Sequence, residues 1–131
     1  MVTKRITIPI FYGALHIVMT EDAQEDREAI NRKYKNSLTE EDINILGFAE
    51  QRGNHTLIFI NLGKLKKNHK EGIEYESEVV ATIVHEAVHA CNTIFINKGV
   101  ELDLRNDETQ AYLTDWITKQ IYKVYYKIRT S

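Results

Sequence analysis

Hydrophobic positions alternate with polar ones early in the chain and later recur at helical spacing, and this change of period divides the sequence. Thr3 to Pro9 and Ala14 to Met19 have the β-branched content of strands, with Tyr12-Gly13 between them as a hairpin turn. Glu21 to Tyr34 is rich in Glu, Asp, Ala, Gln and Arg with alternating charge signs, which predicts a solvent-exposed helix ended by Asn36-Ser37. Ile43 to Gln51 and His55 to Asn61 flank Arg52-Gly53-Asn54, a turn signal between two further strands. The lysine-rich stretch LGKLKKNHKEG that follows reads as a polar loop. Helical spacing then runs from about Ser77 to Asn97, with Gly99 placed just past the end. Leu102 and Leu104 fall in a connection, and Asn106 or Asp107 caps a final helix reaching about Lys127.

The first of these long helices carries His85-Glu86-x-x-His89. So short a motif arises by chance, so its placement on the helix is what counts. At about 100° per residue, His85 and His89 lie about 40° apart on a polar strip with Glu78, Thr82 and Asn92. Val80, Ile83, Val84, Ala87, Cys91 and Ile94 form a continuous apolar face opposite, which predicts a nearly all-buried helix. Histidines four residues apart have Cβ atoms about 5 to 6 Å from one another, so both rings can converge on one ion. Zinc takes nitrogen donors at about 2.0 to 2.1 Å, which this spacing permits. Glu86, about 100° round from His85, flanks such an ion as the general base for a bound water should. Cys91 lies on the apolar side and reads as a core thiol.

A third ligand is expected from chain that turns back after the helix, where Glu101, Asp103, Asp107 and Glu108 are available. Glu108 is favoured because the first turn of the last helix fixes its direction, although a carboxylate there also suits the helix N-terminus without any metal.

Size and charge narrow the setting. A chain of 131 residues is expected to be one domain, residues 1–131, with room for only a compact site. The 17 basic and 19 acidic residues nearly balance, so no strong field draws in nucleic acid or an anionic membrane. Lys64 to Lys70 and the Lys119, Lys123, Lys127, Arg129 series read as solvated surface. A lone cysteine excludes an internal disulfide and fits a reducing compartment. Lys4-Arg5 before an apolar stretch superficially resembles a signal sequence, but Pro9, Gly13 and His16 interrupt it and no small-x-small cleavage site follows. No segment is read as approaching the roughly 20 apolar residues of a membrane span. A cytoplasmic location is therefore expected, with neither nucleic acid nor membrane as a partner.

The segment HEAVHA followed by NDETQAY resembles the gluzincin branch of zinc metallopeptidases, which carry HExxH and a downstream glutamate. The likeness covers about residues 77–118 and is similar to minimal gluzincin-like domains often encoded by bacteriophages, which makes a host cytoplasm the corresponding location. It implies an α+β, minimal zincin-like fold, with a small sheet of about four strands packed on a buried HExxH helix and a long C-terminal helix. It also implies that His85, His89 and Glu108 bind zinc, that Glu86 activates water, and that the strand before the helix, His55 to Asn61, pairs with extended substrate. One departure concerns the partner that orients a histidine: thermolysin-like members have an aspartate four residues after the glutamate ligand, whereas this chain has Tyr112 there and Asp115 at seven. Asp115, Asp107 or a backbone carbonyl is left to serve.

The expected reaction is hydrolysis of a peptide bond in a peptide or protein substrate. Zinc lowers the pKa of its water toward about 7 and polarises the carbonyl, while Glu86 takes the proton and later passes it to the leaving amine. Tyr112, which shares the Glu108 face, is the candidate oxyanion donor, with Tyr75 and His69 also preceding the motif helix. Peptide deformylases also carry HExxH but use an upstream cysteine ligand, and no cysteine precedes Cys91. The competing class is a non-catalytic zinc-containing binding protein, such as a phage-encoded inhibitor of a host protein.

Overall fold

The computed structural model describes residues 1–35 and 38–131. Its order is β1 (Val2–Thr7), β2 (Ala14–Thr20), α1 (Ala23–Tyr34), a single 3-10 turn (Asp42–Asn44), β3 (Gly47–Arg52), β4 (His55–Asn61), α2 (Leu62–Asn68), α3 (Ile73–Lys98) and α4 (Glu108–Arg129). The architecture is α+β, with a four-stranded mixed sheet and a long C-terminal helix as the pattern predicts.

Strand order is β1-β2-β4-β3. Both hairpins expected from the turn residues form antiparallel pairs, β1 with β2 and β3 with β4. Between them, β2 and β4 run parallel, with Ile17 beside Ile58. This pairing makes β4 interior and leaves β3 on the edge. It also explains why β2 and β4 are buried on both faces. Leu15, Ile17, Met19, Ile58 and Ile60 point toward α3 and α4, whereas Val18, Leu57 and Phe59 join Ala23, Ile30 and Leu38 on the opposite face.

Several boundaries differ from the pattern, each for a local reason. Helix α1 begins at Ala23, because the Asp22 side chain accepts from the Glu25 amide and acts as its N-cap. The residues expected to end it, Asn36-Ser37, lie outside the described residues. Strand β3 starts at Gly47, since Asp42–Asn44 form the 3-10 turn. The expected lysine-rich loop contains α2 instead: Asn61 caps it through the Lys64 amide at 3.1 Å, and Leu62 and Leu65 are buried beneath its exposed lysines. Helix α3 begins at Ile73, four residues before the expected start, and ends at Gly99 in the left-handed conformation expected of a C-terminal glycine.

With 26 residues, α3 is long and apolar enough to cross a membrane, contrary to the reading of the sequence. Here Val79, Ile83, Ala87, Ala90, Cys91 and Ile94 of this helix are buried in the core shared with the sheet and α4. The helix is not all buried, however. Val80, Val84 and Val88 remain exposed, so the apolar face is wider than the surface that covers it.

Candidate metal centre

The motif occupies the middle of α3, where helical spacing brings His85 and His89 onto one solvent-facing strip. Their Nε2 atoms face one another at 3.2 Å. Two nitrogens each about 2.05 Å from a tetrahedral zinc stand about 3.3 Å apart, so the pair has the spacing the ion requires. Glu86 lies between the histidines and the sheet and is buried at 4% exposure. Its Oε1 lies 3.8 Å from His85 Nε2. Its Oε2 is the one fully buried side-chain oxygen or nitrogen among the described residues with no hydrogen-bond partner. Burial pushes the Glu86 carboxyl above its ordinary range, with the two histidines opposing the shift. An unpartnered carboxylate oxygen in a dry position is costly unless a further group serves it. The histidine pair supplies two nitrogen donors of the kind and spacing zinc takes, which is half of a tetrahedral set.

Strand β3 forms the wall beside Glu86. A Cβ added at Gly47 would stand 2.7 Å from the Phe59 carbonyl oxygen and 3.3 Å from Glu86 Cγ, so the missing side chain is what admits the carboxylate. One turn past His89, Thr93 donates to Gln51 Oε1 at 3.3 Å, and Thr56 donates to the same oxygen at 2.6 Å. These bonds tie α3 to β3 and β4. The strand expected to lie against substrate, His55 to Asn61, is interior and has both edges paired. That expectation is corrected: the free edge next to the motif helix belongs to Gly47–Arg52. The turn residues show that these strands pair, but only the distant β2–β4 pairing decides which of them is outermost.

Glu108 does not join the histidines. It is exposed at the first position of α4, whose contact with α3 at that end is made by Gln110, 3.4 Å from Asn92 and with its carbonyl 3.8 Å from Cys91 Sγ. Helical geometry puts Glu108 about 160° round α4 from Gln110. Among the described residues, no group of three or more His, Cys, Asp or Glu side chains gathers as a metal site. Tyr112 shares the Glu108 face as expected and is 70% exposed. Asp107 is the N-cap residue of α4 by position but makes no side-chain capping bond. Asp115 pairs with Lys119 at 3.3 Å.

The other oxyanion candidates lie elsewhere. Tyr75 and His69 line a cavity with Glu76, Tyr125 and Arg129 at the start of α3. Ten residues separate Tyr75 from His85, about 15 Å of helical rise. His69 is held there by Glu74 at 3.3 Å and Glu78 at 3.9 Å. Cys91 is a free, buried thiol whose pKa is pushed up by burial, in keeping with its place on the apolar face. Compared with known proteins, the chain matches no family model, no curated protein and no solved structure.

Proposed function

We propose that this protein is a zinc-dependent hydrolase of peptide bonds, a metallopeptidase of the gluzincin kind acting on peptide or protein substrates in the cytoplasm. The observation that carries the reading is the 3.2 Å Nε2 pair beside a buried carboxylate with one unserved oxygen. When bound, zinc would supply Lewis acidity toward a carbonyl oxygen and would lower the pKa of its water toward about 7. His85 and His89 would hold the ion through Nε2. Glu86, whose desolvated carboxylate has raised proton affinity, accepts the proton of the attacking water and returns it to the departing amine nitrogen. Edge strand β3 offers its outer backbone groups to an extended peptide on the Glu86 side of the helix.

Glu108 is proposed as the third ligand on its place in the motif. That role asks its carboxylate to move from its exposed position, and the segment leading into it, residues 101–107, is exposed throughout. Tyr112, on the same face, keeps its proposed part as oxyanion donor.

The incomplete ligand set favours a second reading, a zinc-containing or zinc-free binding protein without activity. Metal analysis and peptidase assays separate the two. The purified chain is expected to hold about one zinc, lost in His85→Ala, weakened in Glu108→Ala and retained in Glu86→Gln. Glu86→Gln should lower hydrolysis by about 10²- to 10⁴-fold. Hydrolysis that survives this change rejects Glu86 as the base, and a chain that takes up no zinc rejects the hydrolase reading.

A further inference from the structure

The face of the sheet turned away from α3 carries cations near the end where β2 and β4 begin. His16 and His55 stand two residues before Val18 and Leu57, which pack on the α1 side, so both imidazoles project on that side. His16 Nε2 and His55 Nδ1 are 2.9 Å apart. Arg5 is paired with His16 across β1 and β2, and residues paired in this way stand side by side on one face. Lys33 reaches over from the last turn of α1, where its Nζ donates to Thr3 Oγ1 at 2.8 Å and stands 5.7 Å from the centre of the Tyr34 ring. That ring meets the His16 ring in a T-shaped contact at 5.6 Å. Arg5 and Lys33 thus flank His16, one along the sheet and one from the helix, with His55 beside it.

No acid balances this cluster. Among the described residues, Arg5 has no hydrogen-bond or ion-pair partner. After desolvation, His55, Arg5 and Lys33 each lower the pKa of His16, and no carboxylate acts in the other direction. Glu50, which shares this face of β3, is taken up by Arg52 at 3.2 Å. Arg52 in turn donates to the carbonyls of Tyr34 and Lys35 at the end of α1. Like charges gathered without a counter-charge are complemented by an anion.

We propose that Arg5, His16, Lys33 and His55 form a binding site for a free tetrahedral oxyanion of the phosphate class. The Arg5 guanidinium and the Lys33 ammonium supply charge-assisted donors, and the outer nitrogens of the imidazole pair, His16 Nδ1 and His55 Nε2, supply two more when protonated. With one proton in the 2.9 Å contact and one on each outer nitrogen, the pair carries a single positive charge. An anion therefore binds more tightly as the pair takes up that charge, and by linkage it raises the pKa that the neighbouring cations lower. The site lies on the opposite face of the sheet from α3, so it stands apart from the metallopeptidase reading.

Titration of the full chain with sulfate tests the proposal, since the charge of that ion is constant from pH 5.5 to pH 8. At fixed ionic strength, the ring resonances of His16 and His55 should shift while those of His85 and His89 stay in place. The dissociation constant should rise about tenfold from pH 5.5 to pH 8. Arg5→Gln, at an exposed position that spares the fold, should weaken binding about tenfold at either pH, and His16→Gln should abolish the pH dependence. Inorganic phosphate and a phosphoserine peptide are titrated alongside, and binding of the peptide alone overturns the assignment to a free anion. Shifts confined to other residues overturn the site, as does an affinity indifferent to Arg5→Gln. An affinity that does not change with pH overturns the part given to the histidine pair.

Discussion

At Glu86 a single side chain joins two opposing demands. Its carboxylate is desolvated by the sheet, which raises its proton affinity, and it stands beside two imidazoles that favour its ionised form. The helical positions of His85, Glu86 and His89 were legible because four-residue spacing and a 100° step are properties of any α-helix. The depth of Glu86 was not, because it depends on Gly47 leaving room from a strand far away in sequence. A second histidine pair shows the same dependence. His16 Nε2 and His55 Nδ1 are 2.9 Å apart across β2 and β4, and desolvation, then His55, Arg5 and Lys33, lower the His16 pKa. A histidine whose folded pKa is depressed binds fewer protons folded than unfolded. Its contribution to stability is present above the unfolded value near 6.5 and is lost as pH falls toward the folded value. Urea denaturation from pH 8 down to pH 5 should show this acid loss, and His16→Gln should flatten it.

The element scale turns on how the segment before β3 is fixed, since that strand lies against Glu86. Asn61, 3% exposed, donates from Nδ2 to the Ile43 carbonyl at 2.8 Å and caps α2 through the Lys64 amide at 3.1 Å. Its own amide bonds the Leu46 carbonyl at 2.8 Å. One asparagine therefore holds the approach to Gly47 and the start of α2 together. Asn61→Ala is expected to cost about 1–3 kcal/mol, read as a lower denaturation midpoint, because it removes a cap and takes the side-chain donor from the Ile43 carbonyl. Helix α2 escaped the sequence reading because lysines dominate its seven residues, and only burial of Leu62 and Leu65 reveals which side packs. The β1–β2 hairpin, α1, β4, α3 and α4 were legible in kind, their periodicity, turns and caps being local signals.

For the whole molecule, zinc binding and folding are linked if the histidine pair holds the ion. Free zinc at about a hundred times its dissociation constant should stabilise the chain by about 2.7 kcal/mol and raise the melting temperature by about 10 °C. Differential scanning calorimetry with zinc and with chelator should find that shift in wild type and in Glu86→Gln but not in His85→Ala. A shift that persists in His85→Ala would place the metal elsewhere.

Local pattern alone determined that the chain builds strands, then helices, and that two histidines share one strip of a long helix, since both follow from backbone periods of two and 3.6 residues. Tertiary structure decided what those elements enclose. Parallel pairing of β2 with β4 put β3 at the edge, and packing on the sheet buried Glu86. The antiparallel contact of α3 with α4 turned Gln110 inward, leaving Glu108 exposed. These outcomes depend on which distant residues meet, and no repeating period within one segment encodes that.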